Sequence, residues 1–274
     1  MRRVLNDGQW ATVEPYCIGK SSDPGQTGRD PRLFVEAVLC IVRTGAQWRE
    51  LPEEFGNWSS VFRRFRRWVN ADVFYNMFRV LAADADLEYA VVPSRRMFHS
   101  PAGQRIVPSS KSTARAGRKR GTHCQAISRS RSGITTKILA LTDALGNLVD
   151  FRLMPGQVHD VRETDTLICG LTAGHLLAPF HGLKTNHCRA TDRAFDADWL
   201  RTDLKERGII AVIPPESNRK LPAAFDKETY KWRHLIENYF GKLKENRGIA
   251  MRACKTDQSF TAFIAIAATL IQIR

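Results

Sequence analysis

The chain has 274 residues, 43% of them hydrophobic and 26% charged, a balance that excludes wholesale disorder and suffices for one large core or two ordinary ones. Its 42 Lys and Arg against 28 Asp and Glu leave a net charge of +14, which points to a polyanionic partner, DNA or RNA before an anionic membrane surface. Six scattered cysteines without a C-x-x-C pair argue against a zinc ribbon or a disulfide framework and for reduced thiols in the cytoplasm.

In chain order, Met1 to Asp7 carries charge but no apolar run, so no signal peptide is expected there. Asp30-Pro31 reads as an N-cap and first helical residue, and Gly45 as a stop. Between them Leu33, Phe34, Ala37, Val38, Ile41 and Val42 recur at helical spacing. A short piece from Leu51 to Phe55 ends at Gly56, and a second long helix starts at Ser59. Its apolar side is Val61, Phe62, Phe65, Trp68 and Val69, with Arg63, Arg64, Arg66 and Arg67 between them. Helix, brief turn and basic amphipathic helix is the order of a helix-turn-helix DNA reader, though a solvated face on a bundle helix has the same pattern. Four arginines in place of mixed charges favour phosphate contact.

Ala82 to Leu87 reads as a linker before a β-prone run, Tyr89-Ala90-Val91-Val92. From Pro93 to Lys137 there are eleven Lys and Arg and no Asp or Glu, a long basic loop that tracks a phosphate backbone or a disordered insertion. Order resumes at Gly133. Ile134–Asp143 and Leu148–Met154 form two strands around the hairpin residues Ala144-Leu145-Gly146-Asn147. There follow a helix over Val161–Leu171, a polar strand over Asn186–Thr191 that reaches Asp192, and a helix over Asp198–Arg207. Ile209–Ile213 is a buried strand, a long helix runs from about Lys227 to Asn246, and the last helix begins at about Ser259. The stretch Phe260–Ile273, interrupted by Thr261, Thr269 and Gln272, is too short and too polar to span a bilayer. The pattern is that of an α/β protein with a mixed sheet behind a helical N-terminal part.

The helix around Glu237 carries the most chemical information. Tyr230, Arg233, Glu237 and Lys244 fall within an arc of about 60° on a continuous helix, a polar face opposite Trp232, Leu235, Tyr239 and Leu243, with Ile236 and Phe240 at its margin. An ordinary i,i+4 Arg–Glu pair accounts for two of the four. Phosphodiester chemistry supplies a use for all of them. Two divalent ions about 3.5–4 Å apart activate the attacking oxygen and stabilise the leaving one, and carboxylates are the ligands Mg²⁺ prefers. Asp192 stands at a strand end, where such ligands sit in α/β sheets, and where a plain turn aspartate also occurs.

The pattern Y-x2-R-x3-E-x6-K, met by Tyr230, Arg233, Glu237 and Lys244, resembles the signature of the DDE transposases of bacterial insertion sequences, in particular the insertion-sequence-five group. Similar blocks stand around it: Thr191 to Asp198 about the second aspartate, Ile213-Pro214-Pro215 with Ser217 to Lys220 before the glutamate helix, Ser130 to Lys137, and Met154 to Asp160. Arg43 to Pro52 is similar to the family's terminal DNA-binding module, and the resemblance covers nearly the whole chain from Leu5. It implies an N-terminal helical DNA-binding domain over 1–85 and a ribonuclease-H-like catalytic domain over 86–274 with a basic loop at 93–133. It also implies three carboxylates holding two Mg²⁺ (or Mn²⁺) ions, which cut DNA at the element's ends and join the freed 3′-hydroxyls to target DNA. By position Asp192 is the second carboxylate and Glu237 the third, while Tyr230, Arg233 and Lys244 touch terminal DNA or orient Glu237. A homodimer assembled on DNA in a bacterial cytoplasm, at the nucleoid, is implied with them; no membrane partner is.

One departure matters. The family's first aspartate ends a strand, and the aligned position here, after Val91-Val92, is Pro93, which has no ligand atom. Met97 to Gly103 and Ala173 to Lys184 match the family poorly as well. The expected function is therefore a transposase whose cleavage is impaired, with a catalytically inactive DNA-binding derivative as the alternative. Asp143, at the end of the next strand, is the one candidate for a replacement carboxylate.

Overall fold

The computed structural model describes residues 4–20, 23, 30–82, 89–92, 94–98, 125–130, 133–143, 145–158, 188–191, 195–206, 210–215, 217, 219, 224–231 and 233–273. In chain order the elements are α1 (Asp7–Val13), α2 (Pro31–Thr44), α3 (Trp58–Asn70), α4 (Val73–Leu81), β1 (Tyr89–Val92), β2 (Ser94–Phe98), β3 (Ser128–Ser130), β4 (Gly133–Thr142), β5 (Leu148–Pro155), β6 (Cys188–Thr191), α5 (Asp198–Glu206), β7 (Ile210–Val212), α6 (Lys227–Lys231), α7 (His234–Lys244), α8 (Arg247–Ala250) and α9 (Asp257–Gln272). They fall into two compact units. One comprises Met1–Leu81, Met97–Gln125 and Lys242–Arg274; the other comprises Ala82–Arg96 and Ala126–Gly241.

The first unit is helical. The Asp30 carboxylate accepts from the N–H groups of Arg32 at 3.0 Å and Leu33 at 3.2 Å, satisfying two donors at the start of α2. Gly45, at φ 67°, closes the same helix by donating to the Ile41 carbonyl. Asn57 caps α3, accepting from Ser59 N–H at 2.9 Å. The connection between α2 and α3 departs from expectation: residues 45–57 hold two 3₁₀ turns, Trp48–Glu50 and Glu53–Phe55, where a brief turn was predicted. The tight turn falls instead between α3 and α4, at Ala71-Asp72, with Asp72 at φ 51°.

Aromatic packing holds these helices together. Phe65 lies 4.9 Å from Trp48, 5.7 Å from Phe74 and 5.6 Å from Phe263, ring centre to ring centre; Trp68 lies 4.7 Å from Phe34. The apolar stretch near the C-terminus is explained by burial: Phe260, Ala262 and every residue from Phe263 to Thr269 are buried on α9, which packs against α2, α3 and α4. Among the described residues no helix is long and apolar enough to cross a membrane.

The second unit carries a sheet of seven described strands in the order β2-β4-β1-β6-β7, with β3 and β5 also paired to β4. β1, β6 and β7 run parallel, and β4 is antiparallel to β1, β3 and β5, so the α/β class and the mixed sheet are as expected. On one face Leu139, Leu141, Val149 and Met154 meet Phe195, Leu200, Leu204 and Ile213 in a buried cluster. The β4–β5 turn folds around Gly146, at φ 83°, and a Cβ there would lie 2.8 Å from the Leu235 Cβ; the glycine lets α7 rest directly on the hairpin.

Two strands were not anticipated. Ser94–Phe98 and Ser128–Ser130 lie within the stretch read as a basic loop, yet both pair with β4. At ten residues β4 outruns its hairpin partner, and its remaining backbone groups need partners. Neither Ser94-Arg95-Arg96-Met97-Phe98 nor Ser128-Arg129-Ser130 alternates apolar with polar residues, so no strand periodicity betrayed them. The helix expected over 161–171, most of the 93–133 segment, Pro93 and Asp192 lie outside the described residues.

Candidate active site

The predicted helix from Lys227 to Asn246 is two helices. At the junction the Arg233 N–H donates to the Tyr230 carbonyl at 3.1 Å, a tight three-residue turn, and the Nδ1–H of His234 donates to the Lys231 carbonyl at 2.8 Å. α6 ends at Lys231 and α7 begins at His234. The Tyr230 ring packs edge-on against Phe225, centroids 5.6 Å apart. At the other end Glu245 and Asn246 close α7 with three-residue turns, and Lys244 occupies its last turn.

Arg233 and Glu237 do come together. The guanidinium Nη2 donates to Glu237 Oε1 at 2.8 Å, with side chains 27% and 34% exposed. The reason is visible in the buried side of α7: Ile236, Tyr239, Phe240 and Leu243 face inward, a stripe turned toward Ile236 and Phe240 from the one predicted. Glu237 consequently flanks the buried face, half-covered but open to solvent. Arg233 holds the Glu237 carboxylate through this charge-assisted hydrogen bond.

β6 ends at Thr191, one residue before Asp192 in the sequence. β1 and β6 pair in parallel from Tyr89↔Cys188 to Val92↔Thr191, and the residues that follow these last partners in sequence are Pro93 and Asp192, both outside the described residues. The segment beyond Asp192 is held by a feature that motif spacing did not reveal. Asp196, its side chain 1% exposed, accepts from Arg201 Nε and Arg219 Nη1, each at 2.8 Å. Arg201 reaches on to the Ile213 carbonyl at 2.7 Å, and Arg219 also pairs with Asp198. The blocks Thr191–Asp198 and Ile213–Lys220, separate in sequence, thus meet on one buried carboxylate. The signal available beforehand was weak: an acid and a base inside two matched blocks, 23 positions apart.

Asp143, the candidate for a replacement carboxylate, stands at the start of the β4–β5 turn. Its carboxylate accepts from the N–H groups of Leu145 at 3.0 Å and Asn147 at 2.7 Å and from the Asn147 amide at 3.1 Å, organising the β4–β5 turn. Val91, two residues before position 93, pairs with Thr142 in antiparallel register. Among the described residues no group of three or more His, Cys, Asp or Glu is placed to hold a metal ion.

The four arginines of α3 divide. Arg64 stacks over Phe34, 4.5 Å from guanidinium carbon to ring centre, and over Trp68 at 5.4 Å, and burial pushes its guanidinium below the ordinary arginine value. Arg66 donates to Ser259 Oγ at 3.4 Å. Arg63 and Arg67 are exposed. In the same unit a cavity of about 700 Å³ includes Glu36, whose buried carboxylate accepts from the Val4 and Leu5 N–H groups, both at 2.9 Å. Cys17 is buried as a free thiol and pushed up to about 12, so it is no nucleophile.

Residues 5–78 match the family profile described as "Putative transposase of IS4/5 family", and residues 190–274 match "Transposase DDE domain". The "Putative transposase for insertion sequence element IS6501" of Brucella ovis is 36% identical over 146 residues, 52% of this chain and 100% of that protein. The "Uncharacterized protein y4sN" of Sinorhizobium fredii is 37% identical over 90 residues, 33% of this chain and 72% of that one. Of solved structures, the cryo-EM structure of the piggyBac transposase synaptic complex with hairpin DNA is similar at 11% identity and a TM-score of 0.41, over 80% of this chain and 52% of that one. The Mos1 strand transfer complex is similar at 11% identity and a TM-score of 0.28, over 82% of each chain.

Proposed function

Because the chain belongs to the IS4/5 family of insertion-sequence transposases, we propose that it binds the terminal inverted repeats of such an element and descends from an enzyme that cuts and joins them by divalent-metal phosphodiester chemistry. DNA binding is assigned to residues 1–85 and catalysis to 86–274. The ribonuclease-H-like reading of the latter draws support from the strand arrangement, a parallel β1–β6–β7 trio flanked by antiparallel β4 and β5. Asp192 and Glu237 are the metal-binding carboxylates, Arg233 positions Glu237, and Tyr230 and Lys244 contact terminal DNA. Pairing two element ends calls for a homodimer on the DNA, at the nucleoid of the cytoplasm.

The observation that carries the catalytic part is the register of β1 with β6. Their final partners are Val92 and Thr191, so Pro93 is the counterpart of Asp192 by position, where the family has its first aspartate. Asp192 and Glu237 supply hard oxygen donors suited to Mg²⁺ or Mn²⁺. Proline supplies none, and the donor set therefore fits one divalent cation and not two. No cleavage step is assigned to this chain on that basis. DNA recognition needs none of these carboxylates, and the exposure of Arg63 and Arg67 favours a protein that still recognises element ends with its cleavage impaired or absent.

Binding to a duplex carrying the terminal inverted repeat, measured across a salt series, tests this reading. If roughly six phosphates are contacted, affinity falls by about a thousandfold between about 50 and 200 mM salt, and the repeat is bound more tightly than a shuffled duplex. A flat salt response contradicts DNA binding altogether.

A further inference from the structure

The α3 helix presents one narrow polar stripe. Ser60, Arg63, Arg67 and Asn70 are all exposed and, at 100° per residue, fall within an arc of about 80°. The buried residues Val61, Phe65, Trp68 and Val69 occupy the opposite side. Arg64 and Arg66 lie on the flanks, where the first stacks on Phe34 and Trp68 and the second bonds Ser259. No acidic residue occurs anywhere in the 13 residues of the helix. Arg63 and Arg67, four positions apart, repel one another, and a polyanion laid along the stripe relieves that repulsion. The flanking Ser and Asn are residue types that hydrogen-bond phosphates and base edges, and a helix of this length, about 20 Å, fits the major groove.

We infer that the Ser60–Arg63–Arg67–Asn70 stripe is the surface that enters the major groove of duplex DNA, with Arg63 and Arg67 as its cationic contacts and Arg64 and Arg66 serving the fold. The inference rests on the DNA-binding reading above and narrows it from four arginines to two. A two-residue distinction within one helix is open to direct measurement, since each lost phosphate contact lowers the slope of log affinity against log salt by about one.

The full-length chain, its Arg63→Gln/Arg67→Gln variant and its Arg66→Gln variant are compared on the inverted-repeat duplex by fluorescence anisotropy over a salt series, with circular dichroism reporting that each is folded. The double variant is expected to lose about two from the salt slope, and Arg66→Gln to keep the parent slope. An Arg66→Gln slope reduced by about one, or a double variant with the parent slope, overturns the assignment of the stripe while the DNA-binding reading stands. A parent protein with no salt slope removes both.

Discussion

Replacing Pro93 with aspartate is expected to raise Mg²⁺-dependent nicking of inverted-repeat DNA by about two orders of magnitude or more over the parent chain. Val92 and Thr191 are partners in parallel register, and Pro93 and Asp192 are the residues that follow them in sequence. An acid at both positions, with Glu237, completes a three-carboxylate set able to hold two ions, and members of such a set act as a unit, so restoring one recovers far more than a third of the effect. The Asp143 carboxylate already accepts three hydrogen bonds in the β4–β5 turn. The check is a nicking assay on supercoiled plasmid bearing the repeat, run with Pro93→Asp and with Pro93→Asp/Glu237→Gln. Activity should appear in the first and vanish in the second. If Pro93→Asp stays inert, the poorly matched segments have failed as well and position 93 is not the principal lesion.

Asp196→Ala is expected to lower the stability of the sheet-bearing unit by about 3 kcal/mol, because removing one partner of a buried ion pair leaves the other uncompensated. The Asp196 side chain is 1% exposed and receives two guanidinium hydrogen bonds at 2.8 Å, while Arg201 is only 15% exposed. Asp196→Asn, which keeps an acceptor oxygen, should cost less, about 1–2 kcal/mol. Urea unfolding followed by circular dichroism gives the comparison, as a lowered midpoint at unchanged slope. Equal midpoints for Asp196→Ala and the parent would mean that the carboxylate does not tie the β6 segment to the chain beyond β7.

What could be read from the sequence was local. Asp30 and Gly45 bracket α2 as predicted because caps act on backbone groups within one turn, and Asn147 and Gly146 made the β4–β5 hairpin legible for the same reason. The pairing of Arg233 with Glu237 was legible from i,i+4 spacing. Periodicity did not reveal the turn at Arg233, where the expected long helix divides into α6 and α7. It also did not mark the strand Ser94–Phe98, whose residues do not alternate apolar with polar. The four arginines of α3 look alike as letters. Only the packing of Arg64 on Phe34 and the bond from Arg66 to Ser259, a residue far along the chain, separate them from Arg63 and Arg67.

The central claim is that Asp192 and Glu237 grip the same divalent cation. Anomalous diffraction from crystals of the chain soaked in Mn²⁺ measures this directly. One manganese peak bridging the two carboxylates, at oxygen distances of about 2.0–2.3 Å, is the predicted result. Manganese absent from that pair, with the two side chains on separate surfaces, would contradict it.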